Sequence, residues 1–127
     1  MACHAVGTSS ILVKTANNVI GIIMSEYVPD RWIIVEISNE DTPAFCRILA
    51  GWIGGYARAD EWRLSSPVVK VDEHDTYYEV HNESGSIYKC SKHSIGTTNL
   101  SSGILNRMLE QNSESVKIAT IDIGKLL

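Results

Sequence analysis

The spacing of apolar positions along the chain predicts a series of short strands interrupted by two helices. Ile11-Leu12-Val13 and Val19 to Met24 are dense in β-branched and aliphatic residues, and Ala16-Asn17-Asn18 between them has turn chemistry because Asn tolerates the left-handed region. A β-hairpin is expected there. Pro29-Asp30 then signals a turn, after which Arg31 to Ser38, RWIIVEIS, reads as a strand whose near-continuous apolar run implies burial on both faces. In the next segment Ala44, Phe45, Ile48, Leu49 and Trp52 fall at helical spacing. Asp41 or Thr42 is placed to cap such a helix, Pro43 sits in its first turn where a missing N–H costs nothing, and Gly54-Gly55 supplies the stop. A first helix is therefore predicted over Pro43 to Ile53, with its apolar face on the sheet.

Trp62 to Val71, WRLSSPVVKV, returns to β character, and Ser65-Ser66-Pro67 marks a bend or the start of an edge strand. Tyr77 to His81 and Ile87 to Cys90 are two further short strands. Between them, Asn82-Glu83-Ser84-Gly85 carries Asn at the first and Gly at the last position of a turn, with the Gly free to take the left-handed conformation. Leu100, Ile104, Leu105, Met108 and Leu109 form an amphipathic stripe that predicts a second helix within Thr97 to Gln111, capped by Asn99 or Ser101. Val116 to Ile123 closes the chain as a strand, able as an edge either to pair in a dimer or to lie under a helix. The order β-β-β-α-β-β-β-α-β predicts an α+β fold: a single domain over residues 1–127 with a mainly antiparallel sheet of about six strands and two helices.

Composition changes this picture little. The chain has 127 residues, 44% hydrophobic and 20% charged, which is enough to bury a core and excludes a disordered or fibrous chain. A net charge of −4 with only 11 basic residues, scattered along the chain, argues against binding a phosphate backbone, since that needs clustered Lys and Arg. Cys3, Cys46 and Cys90 are odd in number and widely spaced, so reduced thiols are expected rather than a disulfide framework. MACHAVGTSS lacks the pattern of a signal peptide, and the most apolar windows, Val19 to Met24 and Trp32 to Ile37, fall far short of the roughly 20 residues that span a bilayer. A soluble, intracellular protein, cytoplasmic in location, is the expectation.

The candidate chemistry centres on HNESGSIYKCSKH, His81 to His93. Cys90 and His93 form a Cys-x-x-His pair, but a zinc knuckle needs a second close pair and Cys3-His4 is adjacent rather than spaced; no metal site is predicted, although His74 and His81 are available. A cysteine nucleophile needs a His within reach and a third group orienting it, and no such signature surrounds Cys90, which alternates in phase with Tyr88 as a buried strand residue would. Cys46 is read as a packing residue of the first helix. Asp72-Glu73-His74-Asp75 is the densest group of carboxylates and reads as a solvated loop or an acidic contact patch. Gly51, Gly54 and Gly55 follow a helix rather than a strand, the reverse of a dinucleotide-binding loop. Trp32, Trp52 and Trp62 are expected at the core or its edge, whereas Tyr77 and Tyr88, if exposed beside the acidic loop, would suit a protein contact.

WRLSSPVVKV followed by YYEVHNESGSIYKC, Trp62 to Cys90, resembles small accessory proteins of bacteriophages and related mobile elements. The resemblance carries no catalytic residues. It implies a non-enzymatic protein that occludes a host defence complex, as inhibitors of CRISPR interference do. A compact acidic domain suits the basic channel of a defence nuclease, so the expected partner is a host protein or nucleoprotein complex with a basic surface, with no direct nucleic-acid contact, no membrane and no cofactor. The contact is expected at Asp72, Glu73, Asp75, Tyr77 and Glu83. Three other readings stay open: an immunity protein that neutralises a toxin, a small hydrolase using Cys90 with His81 or His93, and a small-molecule sponge.

Overall fold

A computed structural model describes residues 25–54 and 60–127. The hairpin expected over Ile11 to Met24 lies outside the described residues. Among the described residues, eight strands and one α-helix follow in the order β1 (Glu26–Tyr27), β2 (Arg31–Asn39), β3 (Phe45–Trp52), β4 (Glu61–Leu64), β5 (Val68–Glu73), β6 (Tyr77–Asn82), β7 (Ile87–Ser91), α1 (Asn99–Leu109) and β8 (Val116–Ile121), with a closing 3₁₀ turn at Ile123–Leu126. They form two four-stranded sheets, a first with order β4-β3-β2-β8 and a second with order β1-β7-β6-β5. All pairings are antiparallel except the short β1 beside β7. The mainly antiparallel α+β expectation therefore holds in outline, but with more strands, in two sheets, and one α-helix among the described residues.

The first predicted helix is the main correction: Phe45–Trp52 is β3, a central strand between β2 and β4. The physical reason is burial on both faces. Cys46, Ile48 and Ala50 point toward the second sheet, and Leu49 points the other way, so from Ile48 to Trp52 the strand is continuously apolar, with no period-two alternation to reveal it. Asp41 and Thr42 cap nothing. Their backbone N–H groups donate to Asn39 Oδ1 at 2.8 and 2.9 Å, which shapes the β2–β3 turn. Cys46 is disulfide-bonded, against the expectation of reduced thiols throughout, whereas Cys90 is free.

WRLSSPVVKV also divides differently from expectation. β4 belongs to the first sheet and β5 to the second, so the bend at Ser65-Ser66-Pro67 is where the chain crosses between layers. Ser65 makes the crossing possible inside the core: its Oγ accepts the Ile48 N–H at 2.8 Å and donates to the Ser66 carbonyl at 2.7 Å, leaving no orphaned group.

Three layers result. Trp32 and Ile34 of β2, with the inward residues of β3, pack against Val68, Val80, Tyr88 and Cys90 of the second sheet, and Ile123 and Leu126 of the 3₁₀ turn close that core. On the opposite face of the first sheet, Val35, Leu49 and Ile118 receive Ile104, Leu105, Met108 and Leu109 of α1, the predicted stripe apart from Leu100, which is exposed. Trp32 ties the sheets together, its Nε1–H donating to the Ser91 carbonyl at 2.8 Å. The helix is capped by Thr98 rather than by Asn99 or Ser101 alone: the Ser101 N–H donates to Thr98 Oγ1 at 3.0 Å and the Thr98 N–H to Ser101 Oγ at 2.8 Å, a reciprocal capping box. Among the described residues no helix is long and apolar enough to cross a membrane.

Candidate functional site

With α1 on one side of the first sheet and the second sheet on the other, the outward face of β5, β6 and β7 is the layer face that no described element covers, and Asp72 and His81 lie on it. Strand alternation decides which. Val71, Val80 and Tyr88 point into the core, so their neighbours Lys70, Asp72, Glu79, His81 and Lys89 point out.

Four of the five expected contact residues gather at one end of the second sheet, around the β5–β6 turn. Glu73, His74, Asp75 and Thr76 are exposed where β5 turns into β6, while Asp72 and Tyr77 flank the turn half-buried. The turn is tightly held: the His74 N–H donates to the Tyr77 carbonyl at 2.8 Å and the Lys92 N–H to the Thr76 carbonyl at 2.9 Å. The His74 and Tyr77 rings stack, 4.6 Å between centroids and 17° apart. Glu73 accepts a hydrogen bond from Lys92 Nζ at 2.7 Å, which raises the Lys92 pKa and keeps that ammonium charged. Glu83 is not part of this group. It lies in the β6–β7 turn, at the other end of β6, with its N–H bonded to the Pro67 carbonyl at 2.8 Å. Gly85 in that turn has φ +97°, as its sequence position predicts, and its N–H closes the turn on the Asn82 carbonyl at 2.9 Å.

A second group was not legible in the sequence. Asp72 on β5 stands directly opposite Glu79 on β6, and His81 lies two residues further along β6 on the same face. His81 Nε2 is 3.3 Å from Asp72 Oδ2 and 3.7 Å from Glu79 Oε1. Lys70 Nζ approaches the same Asp72 oxygen at 3.6 Å, and His74 Nε2 the same Glu79 oxygen at 3.6 Å. Despite these approaches, His81 Nε2 is shielded from solvent and in hydrogen-bond geometry with no partner. Glu79 carries no signal in the sequence, because a lone Glu-x-His on a strand means nothing until the register places an Asp across from it.

Cys90 sits on the other side of the sheet. It pairs with Tyr78 while His81 pairs with Ile87, positions of opposite phase, so its thiol faces the core and the imidazole faces outward. The Cys90 side chain is fully buried, and burial pushes its thiol pKa up, the opposite of what a nucleophile needs. His93 is exposed in the turn after β7. Tyr88, expected as an exposed contact, is likewise buried; its pKa is pushed up to about 12, chiefly by burial.

The tryptophans separate by role. Trp32 is core, whereas Trp62 is 43% exposed and, with Tyr27, Trp52, Arg63, Glu26 and Glu61, borders an open cavity of about 370 Å³. The cation-binding face of Tyr27 in that cavity is already taken by the chain's own Arg63 guanidinium, 4.7 Å from the ring centroid.

The fold and this face define a two-sheet sandwich with one helix-covered surface and one polar surface rich in carboxylates and imidazoles. No family model, curated protein or solved structure matches the chain.

Proposed function

We propose that the chain is a non-enzymatic binding protein of the phage accessory type, which inhibits a host defence complex by seating its β5–β6 turn on a basic surface of that complex. The observation that supports this reading is the turn itself: Glu73 and Asp75 project into solvent beside the stacked His74–Tyr77 pair, on a hairpin held at both ends by backbone hydrogen bonds. A rigid turn of this kind loses little conformational freedom on binding, and an aromatic group beside acidic ones suits a basic protein partner. The Glu73–Lys92 pair is exposed, so exchanging Lys92 for a partner's cation is energetically cheap. Asp72, Glu73, Asp75 and Tyr77 are the contact residues in this reading, and Glu83 belongs to the far turn.

The test is affinity capture with the tagged full chain from lysate of a host carrying an active CRISPR complex, beside a bait carrying Glu73→Lys and Asp75→Lys. The native bait is expected to recover the complex and the double variant to lose it at an unchanged melting temperature. Equal recovery by both baits removes the turn from the contact. Recovery of a toxin in place of a defence complex replaces the inhibitor with an immunity protein, and recovery of no partner from hosts carrying such systems overturns the binding role.

A further inference from the structure

We propose that Asp72, Glu79 and His81 bind one divalent first-row transition-metal ion, with Zn²⁺ as the representative, on the outward face of the second sheet. This inference does not rest on the inhibitor reading.

Three independent features converge on it. The first is distance. The donor atoms of the three residues all lie within 4.8 Å of one another, and His81 Nε2 stands 3.3 and 3.7 Å from the carboxylate oxygens of Asp72 and Glu79. Around a tetrahedral ion with bonds of about 2.0–2.1 Å, neighbouring donors stand about 3.4 Å apart, so the spacing is that of ligands sharing a centre. The second is the state of the imidazole: Nε2 is shielded from solvent, yet neither carboxylate lies in line to accept or donate a hydrogen bond. A shielded ring nitrogen that stands close to two carboxylate oxygens and hydrogen-bonds to neither is open to an ion as its partner. The third is the register. Asp72 and Glu79 are directly opposite across the β5–β6 pair, like charges that the exposed Lys70 approaches from the Asp72 side and that an ion between them would offset together.

The flanking groups fit the same reading. Lys70 Nζ, 3.6 Å from Asp72, is a loose and exposed counter-charge that an ion would displace. His74, with Nε2 3.6 Å from Glu79 Oε1, places a second imidazole at the rim of the cluster. One nitrogen and two carboxylate oxygens suit Zn²⁺ or its neighbours; too few oxygens converge for Ca²⁺, and the thiol of Cys90 faces the other side of the sheet.

The experiment is calorimetric titration of Zn²⁺ into the chelator-treated full chain, native and with His81→Ala or with Asp72→Asn and Glu79→Gln together. Folding of each variant is checked by circular dichroism. Uptake of one ion per chain is expected, with affinity lowered on the order of tenfold or more in both variants. On the native chain, Zn²⁺ is expected to shift the His81 imidazole resonances in an NMR titration, a readout that needs no variant to fold. No uptake, uptake unchanged in the variants, or unmoved His81 resonances overturns the site. Glu73→Lys with Asp75→Lys leaves all three ligands in place, so that variant should take up Zn²⁺ as the native chain does, and the metal site and the docking turn succeed or fail separately.

Discussion

Gly51 shows how a single residue sets the distance between layers. A Cβ built there would stand 2.8 and 2.9 Å from Thr98 Oγ1 and Cγ2 and 3.1 Å from Ser101 Oγ. Neither neighbour is free to move aside, because both are locked in the reciprocal cap that starts α1. The absence of a side chain at this position of β3 lets the helix start pack directly on the sheet. Gly51→Ala is accordingly expected to destabilise the protein by about 1–3 kcal/mol in urea unfolding. A neutral result would mean that the cap shifts at no cost and that its geometry is not what holds the helix.

At the scale of elements, β3 carries the clearest test. A helix over Pro43 to Ile53 with the stripe Ala44, Phe45, Ile48, Leu49 and Trp52 would put Ala50 on its far, solvated side. In the strand Ala50 is fully buried and faces the second sheet. Ala50→Leu would be nearly neutral on an exposed helix face, whereas in β3 it should cost about 1–3 kcal/mol by overpacking. Chemical denaturation separates the two outcomes. The crossing from β4 to β5 has the same character: Ser65 and Pro67 announce a break in the sequence, but only the layered arrangement makes that break a passage from one sheet to the other.

For the molecule as a whole, the shared core of the two sheets sets a pH limit. Tyr88 and Cys90 are both buried between the sheets, and both have folded-state pKa values raised by burial. In the unfolded chain they release protons at ordinary values, near 10 and 9, while the folded chain retains them. Over that interval the folded state binds more protons than the unfolded one, so stability is fully present below about pH 9 and falls as pH rises, by up to about 1.4 kcal/mol per pH unit for each group. Denaturant midpoints measured from pH 7 to 11 should decline on the alkaline side, and Cys90→Ala should flatten the onset of the decline. A midpoint that stays level to pH 11 would contradict the burial assigned to both groups.

Local chemistry determined much of this. Periodicity and turn residues marked β2, the β6–β7 hairpin, the helix stripe and the last strand, because each depends on residues within about one element length of one another. The turn at Asn82 to Gly85 is the plainest case, since a left-handed Gly and a leading Asn specify it without reference to the rest of the chain. Three things had to wait for the tertiary structure: the identity of β3, the division of WRLSSPVVKV between sheets, and the meeting of Asp72 with Glu79 and His81. The first is hidden because a strand buried on both faces shows no alternation. The other two depend on which strand lies beside which and in what register, and a one-residue slip of β5 against β6 would move Asp72 to the opposite face. Pairing of that kind is set by the packing of both sheets around one core, not by any stretch of sequence read alone.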